Sequence, residues 1–157
     1  MTSTFQTPVG PAENLQMKLV QAQKLPGVGP LVRMVLKLRG VQIPPHTFTQ
    51  RPHLPHVGPI VVHEKTRFGK NVTLFHNVTI GRGNVWEEPH PDFEGFQIND
   101  HAVLCAGAVI VGTKGTVTVG EGTVVGANAV LTQSTGDWEV WAGSPARKVG
   151  ERSRPVS

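Results

Sequence analysis

A mainly β fold, a solenoid of short stacked parallel strands preceded by a short helical segment, is what this 157-residue sequence predicts. Three observations carry it. Large apolar residues recur every six positions: Val62, Phe68, Leu74 and Ile80, then Ile98, Leu104 and Ile110, then Val119, Val125 and Leu131. Two positions before most of them stands a second small or β-branched residue: Ile60, Thr66, Val72, Val78, Ala102, Ala108, Thr123 and Ala129. Glycine often follows, at Gly69, Gly81, Gly120 and Gly126. A six-residue period fits neither an isolated helix nor a simple alternating strand. It fits coils whose strands each turn two side chains inward and then round a corner, where glycine supplies unusual backbone angles. One coil cannot bury its apolar side alone, so coils stack. The rival is a β-sandwich, whose turns would come about every 8–12 residues and would not hold this phase.

Along the chain, residues 1–12 are polar and punctuated by proline and glycine, which predicts a frayed start. From Glu13 to Gly40, Leu15, Leu19 and Ala22 recur at helical spacing, Pro26-Gly27-Val28-Gly29-Pro30 interrupts, and Leu31, Val32, Val35, Leu36 and Leu38 follow. Two short amphipathic helices separated by a turn result. The organisation is thus a disordered start and helical segment over 1–40, the solenoid over 41–150 and a flexible tail over 151–157. Between Ile80 and Ile98 the phase breaks, Asp92 falls on an inward position and prolines cluster, so residues 82–97 read as a loop leaving the solenoid. Between Ile110 and Val119 the spacing is nine, which places a three-residue bulge near Thr113-Lys114-Gly115. Loops on a rigid scaffold are where ligand contacts concentrate.

Composition excludes several classes. Glycine (18) and proline (13) are well above ordinary usage but below the level of disordered chains, and 38% apolar content can build a core. With 17% charged residues, a long charged coiled coil is excluded. No run reaches the roughly 18 apolar residues of a membrane span, and no secretory pattern opens the sequence. The lone Cys105 excludes an internal disulfide framework and a multi-cysteine metal site, so the expected compartment is reducing cytoplasm. Residues 1–56 hold six lysines and arginines against Glu13 alone, whereas the remainder is nearly balanced. Without a basic stripe interleaved with groove-reading elements, nucleic acid is not an expected partner. A basic amphipathic helix can lie on a membrane, but helices this short are better explained by packing on a core or a partner subunit.

The hexads FGKNVT (68–73), LFHNVT (74–79), VGEGTV (119–124) and VGANAV (125–130) resemble those of the hexapeptide-repeat acyltransferases, which implies a left-handed parallel β-helix. The hand comes from the resemblance alone, since the general rule for parallel crossovers predicts the opposite. More specific is the order of segments: GPIVVHEKTRFGKNVTLFHNVTIG (58–81), a loop with His90-Pro91, INDHAVLCAGAVIVG (98–112), VTVGEGTVVGANAVL (117–131) and AGSPARKVG (142–150). That order, covering residues 42–150, resembles serine acetyltransferases and the short serine-acetyltransferase-like enzymes of polysaccharide gene clusters. The resemblance implies an acetyl-CoA-dependent O-acetyltransferase, trimeric, with three sites between subunits and no metal.

It also implies roles. His56, three residues before PIVV (59–62), matches the general base, and a neutral imidazole suits removal of a hydroxyl proton near neutral pH. His90 matches a histidine that positions the acceptor. Gly81, Ala106, Gly107 and Ala127 match small residues that let coenzyme A approach the coil corners, and Arg147 and Lys148 can meet its phosphates. Departures fall on the acceptor side. Pro55 stands where the family has an aspartate before the base, Gln42 where an upstream aspartate orients it, and Pro89 where an arginine holds the serine carboxylate. The acceptor is therefore L-serine or a sugar hydroxyl. His76 is read as decorating a face or a subunit interface, and His53, His63 and His101 as surface residues. Zinc carbonic anhydrases of this fold need two histidines five residues apart, a spacing absent here. A trimeric scaffold without turnover is the non-enzymatic alternative.

Overall fold

The computed structural model describes residues 11–154, with side chains from residue 15. The expected frayed start and the end of the expected tail, residues 1–10 and 155–157, lie outside them.

Helix α1 (Pro11–Ala22) begins two residues before the expected boundary, with proline in the first turn, where its missing N–H is not needed. A turn with Gly27 at φ 78° leads to α2 (Gly29–Leu38). Val20 and Leu36 are buried in the common core, with Met17, Leu19 and Val32 packed against it. Gln23 is buried too, and its Nε2 donates to the carbonyls of Val20 and Ile43, tying the helices to the segment that enters the solenoid.

The chain then winds around three sides. After β1 (Val41–Gln42) and a 3-10 turn (Pro45–Thr47), β2 (Ile60–Val62), β3 (Thr66–Phe68) and β4 (Thr73–Leu74) make one turn. Strands β5 (Val78–Arg82), β6 (Phe93–Ile98) and β7 (Val103–Leu104) make the next, and β8 (Val109–Gly112), β9 (Gly115–Val119) and β10 (Val124–Val125) a third. Strand β11 (Val130–Leu131) opens a fourth, finished by β12 (Glu139–Gly143) and β13 (Ala146–Glu151). The first face is β1-β2-β5-β8-β11, the second β3-β6-β9 and the third β4-β7-β10-β12-β13. Every neighbour is parallel except β13, which turns back on β12. Register keeps the period: Ile80 pairs with Ile110, and Leu104 with both Leu74 and Val125.

All ten residues of the six-residue series are buried, and so are the eight residues two positions before them. The role expected for glycine is corrected. Gly69, Gly81, Gly120 and Gly126 are not at positive φ; left-handed angles fall three residues after the inward aliphatic, at Asn71, Asn77, His101, Gly107, Gly122 and Asn128. Asparagine and glycine reach that region at least cost. Gly69 and Gly120 serve close stacking instead: an added Cβ would lie 2.7 Å from the Asp100 nitrogen and 2.0 Å from the Gly136 oxygen, respectively.

Two boundaries also differ from expectation. The loop is 83–92, because Arg82 ends β5 and Phe93–Gln97 belong to β6, where Phe93 and Phe96 are buried behind a bulge at Gly95. The tail begins later, because Glu151 lies in β13 and Arg152 donates to the Gly122 and Trp138 carbonyls. An earlier half-coil exists: Phe48 and Leu54 are buried, Phe48 bridges to Phe68 and His53 to Thr73. Beyond β9, Ser134 Oγ accepts the Thr118 N–H, Thr135 Oγ1 that of Gly120 and Asp137 Oδ1 that of Glu121.

Candidate active site

The solenoid has three lines of corners, and the chemistry divides among them. Between the third and first faces stack His56 to Gly58, Phe75 to Asn77, Cys105 to Gly107 and Gly126 to Asn128. Backbone bonds run down the stack: Asn77 N–H to the Pro59 carbonyl (2.7 Å), Gly107 N–H to that of His76 (3.0 Å) and Asn128 N–H to that of Ala106 (2.9 Å). His56 heads this line with an exposed side chain.

Its position is determined from two directions. Gly58 sits directly over His76, where an added Cβ would come within 2.7 Å of the His76 Cβ, so only glycine lets the His56 segment lie so low. From the helical side, the fully buried Gln16 of α1 accepts the Gly58 N–H and donates to the Gly58 carbonyl, both at 3.4 Å. The His56 ring meets Phe75 edge-on at 5.2 Å between centroids, and its Nδ1 lies 3.2 Å from His76 Nδ1. Gln42, expected at the place of the orienting acid, pairs with Val61 in β1. The partner of His56 is His76, which sequence reasoning left on a face or interface.

His90 stands on a different corner line, in the loop between the first and second faces. Its Nδ1 accepts the Asp92 N–H at 3.2 Å, and Asp92 is shared with Lys114 at 3.5 Å. Arg82 donates to the Glu87 carbonyl and Asn84 to the Glu87 carboxylate, folding the start of the loop. Within one chain the structure does not bring His56 and His90 together.

Of the residues expected to face coenzyme A, Ala106, Gly107 and Ala127 share the corner line of His56. Gly81 lies within β5 on the first face, next to its end at Arg82, and an added Cβ there would meet nothing within 4 Å. Gly107, at φ 71°, lies against the Asn128 amide, which leaves no room for a larger residue. This line of small residues fits a slender ligand lying against backbone. Arg147 and Lys148 are on β13, the strand that turns back on β12 at the end of the solenoid. Arg147 is exposed, with Nη1 donating to the Ala146 carbonyl. Lys148 is engaged by Glu151 (2.7 Å) and Glu139 (2.9 Å), which raise its pKa. In turn the Lys148 hydrogen bond, with those of Trp141 and Gly136, holds the Glu139 carboxyl below the usual range. A phosphate would meet the exposed Arg147, which has no ion-pair partner among the described residues, but would compete for Lys148.

Burial raises the Cys105 thiol, the opposite of an activated nucleophile. His63, expected at the surface, is half-buried with its ring edge against Phe93 and Phe96, and burial lowers its pKa. His53 is likewise half-buried and lowered, by burial first and by Arg51 second. His101 is exposed at a left-handed corner. Among the described residues no helix is long and apolar enough to cross a membrane, and no group of three or more His, Cys, Asp or Glu could hold a metal ion.

No protein-family model matches the chain. Individual proteins do. The serine acetyltransferase of Bacillus subtilis is 33% identical over 119 residues, covering 74% of this chain and 51% of that protein. The serine acetyltransferase of Brucella abortus, solved with coenzyme A, superposes with a TM-score of 0.67 at 22% identity, over 89% of this chain and 55% of that one. The soybean serine acetyltransferase apoenzyme gives 0.65 at 26% identity, over 86% and 56%. The chain thus spans about half the length of the serine acetyltransferases it matches. The shared fold is the left-handed parallel β-helix with short N-terminal helices. By sequence and by fold together, the chain is a homologue of the serine acetyltransferase family of hexapeptide-repeat acyltransferases.

Proposed function

We propose that this protein is an acetyl-CoA-dependent O-acetyltransferase in which His56 is the general base. The observation that carries the proposal is the placement of His56, exposed and braced by Gln16 and Gly58, at the head of a corner line that runs past Phe75 to Asn77 and on to the small residues Ala106, Gly107 and Ala127. Acetyl-CoA, when bound, supplies the acetyl group as a thioester. His56 takes the acceptor's hydroxyl proton as the oxygen attacks the carbonyl carbon, and returns a proton to the departing sulfur. The small residues permit close approach to the backbone, and Arg147 meets the phosphates.

The acceptor is L-serine or a sugar hydroxyl. Pro55, buried, and Pro89, exposed on the loop, offer no charge to an ammonium or a carboxylate, which favours a neutral polyol over a free amino acid. The active unit is a trimer. Because His56 and His90 occupy different corner lines of one solenoid, a site using both takes His90 from a neighbouring copy. The half-buried valines on the outer first and third faces suit such a contact.

The test is thiol release from acetyl-CoA with L-serine and with a panel of sugars, beside His56→Ala. General base catalysis contributes about 10²–10⁴-fold, so His56→Ala loses activity on that scale. Turnover undiminished in that variant would remove His56 from the chemistry. Serine-dependent release would reverse the preference between acceptors.

A further inference from the structure

We propose that His76 is the positioning partner of His56, accepting its Nδ1–H and thereby holding it in the tautomer whose Nε2 is bare. The proposal rests on His56 being the base. Two ring nitrogens 3.2 Å apart attract only if one carries a hydrogen and the other does not. If His56 is the donor, its Nε2 has a free lone pair and can take a hydroxyl proton. If His76 is the donor, the His56 Nε2 already carries hydrogen and the ring has nothing to accept with. The direction of this one bond therefore decides whether His56 can work.

The frame around the pair is fixed by backbone. His76 is pinned below Gly58, its carbonyl is held by the Gly107 N–H and the next residue donates to the Pro59 carbonyl. Its ring therefore sits beneath His56 through contacts from the coils above and below. Among the described residues no carboxylate pairs with either ring, so no acid does this work instead. Phe75, the other ring against His56, meets it edge-on at 88° and has no acceptor atom. A neutral imidazole orients the base without supplying the negative charge of an aspartate.

The proton balance is complete with these groups. The acceptor's O–H proton moves to His56 Nε2 as the O–C bond forms. As the C–S bond breaks, the thiolate takes that proton. The Nδ1–H stays between His56 and His76 throughout, so His76 neither gains nor loses a proton and is not itself a catalytic residue.

Two measurements on the full chain test this. Long-range 1H–15N spectra of histidine-labelled protein read the tautomer without any acceptor; His56 is expected with hydrogen on Nδ1 in the wild type and as a tautomer mixture in His76→Phe. Finding wild-type His56 with hydrogen on Nε2 overturns the proposal. In the acetyl-transfer assay, His76→Phe is expected to lower kcat about tenfold or more with KM for acetyl-CoA little changed, because it removes an orienting contact and no binding contact. His76→Asn, whose amide oxygen can accept the same hydrogen, is expected to keep most of the activity. Equal rates for the two variants, both folded and of wild-type mass, would count against an acceptor role. His56→Ala separates the two readings: if it is active, the base assignment fails; if it is dead while His76→Phe turns over normally, only the pairing fails.

Discussion

The second face and its two neighbours share one inner pattern and differ on the outside. Inward residues on all three are aliphatic, aromatic, small or threonine, and buried. Outward, the second face carries Arg67, Gln97 and Thr118 in one hydrogen-bonded row, with Glu94 and Thr116 beside them. The first face carries Val61, Thr79, Val109 and Val130, and the third Thr73, Val103, Val124 and Val140. The inner residues decide that a solenoid forms and the outer ones decide what it touches. The valine-bearing faces also flank the corner line of His56, so in the proposed trimer contact with another copy and completion of the site would be one event.

A charge on a valine row breaks the comparison most severely. Val109→Lys, on β8 of the first face, is expected to convert the proposed trimer to monomers on analytical ultracentrifugation and to abolish acetyl transfer, because a desolvated lysine has no partner there. A variant that stays trimeric and active would show that this face is free. Next in size is the interior. Gly122→Ala forces alanine to φ 63° and places its Cβ about 2.4 Å from the Trp138 ring. A loss of about 2 kcal/mol or more is expected from strain and overpacking, read by chemical denaturation.

Acid sharpens the comparison more gently. His53 and His63 are both held below the ordinary histidine value, so the unfolded chain binds protons more readily than the folded one. Their contribution is fully present above the ordinary histidine range and is lost as pH falls through it toward their lowered folded values. Melting temperature is expected to fall between pH 7.5 and 5.5, and His63→Gln to flatten part of that slope. The smallest effect belongs to the polar face: Gln97→Lys introduces a lysine like that of Val109→Lys, yet mass is expected to be unchanged and stability to stay within about 0.5 kcal/mol.

The inner pattern was the legible part. From Val62 to Leu131 the six-residue phase identified side chains that are buried, because each turn repeats the same geometry. The half-coil of Phe48 and Leu54 escaped, although they too are six apart, because the step from Leu54 to Val62 is eight and loses the phase. The second-face strand from Phe93 escaped behind its bulge, and the hairpin β12–β13 because antiparallel return has no six-residue signal. The corner glycines were given the wrong task, since the demand for left-handed φ falls where asparagine often stands. At the candidate site, the motif singled out His56 and small residues that the fold places on one corner line. The His56–His76 bond could not, because it joins residues 20 apart through a contact that exists only once coils stack.

The hydroxyl and carboxylate oxygens of Ser134, Thr135 and Asp137 on the N–H groups beyond β9, with the reversal of β13, bear on growth as well as stability. An open end of a parallel solenoid is a template, able to add the first coil of another molecule and so to extend into a filament. Here the amides beyond β9 on the second face are already taken and, on the third, the last strand runs the wrong way for an incoming parallel strand, while α1 and α2 pack beside the first coil. Lengthwise addition meets a blocked edge on the second and third faces, which leaves the sideways contact of the proposed trimer as the open route.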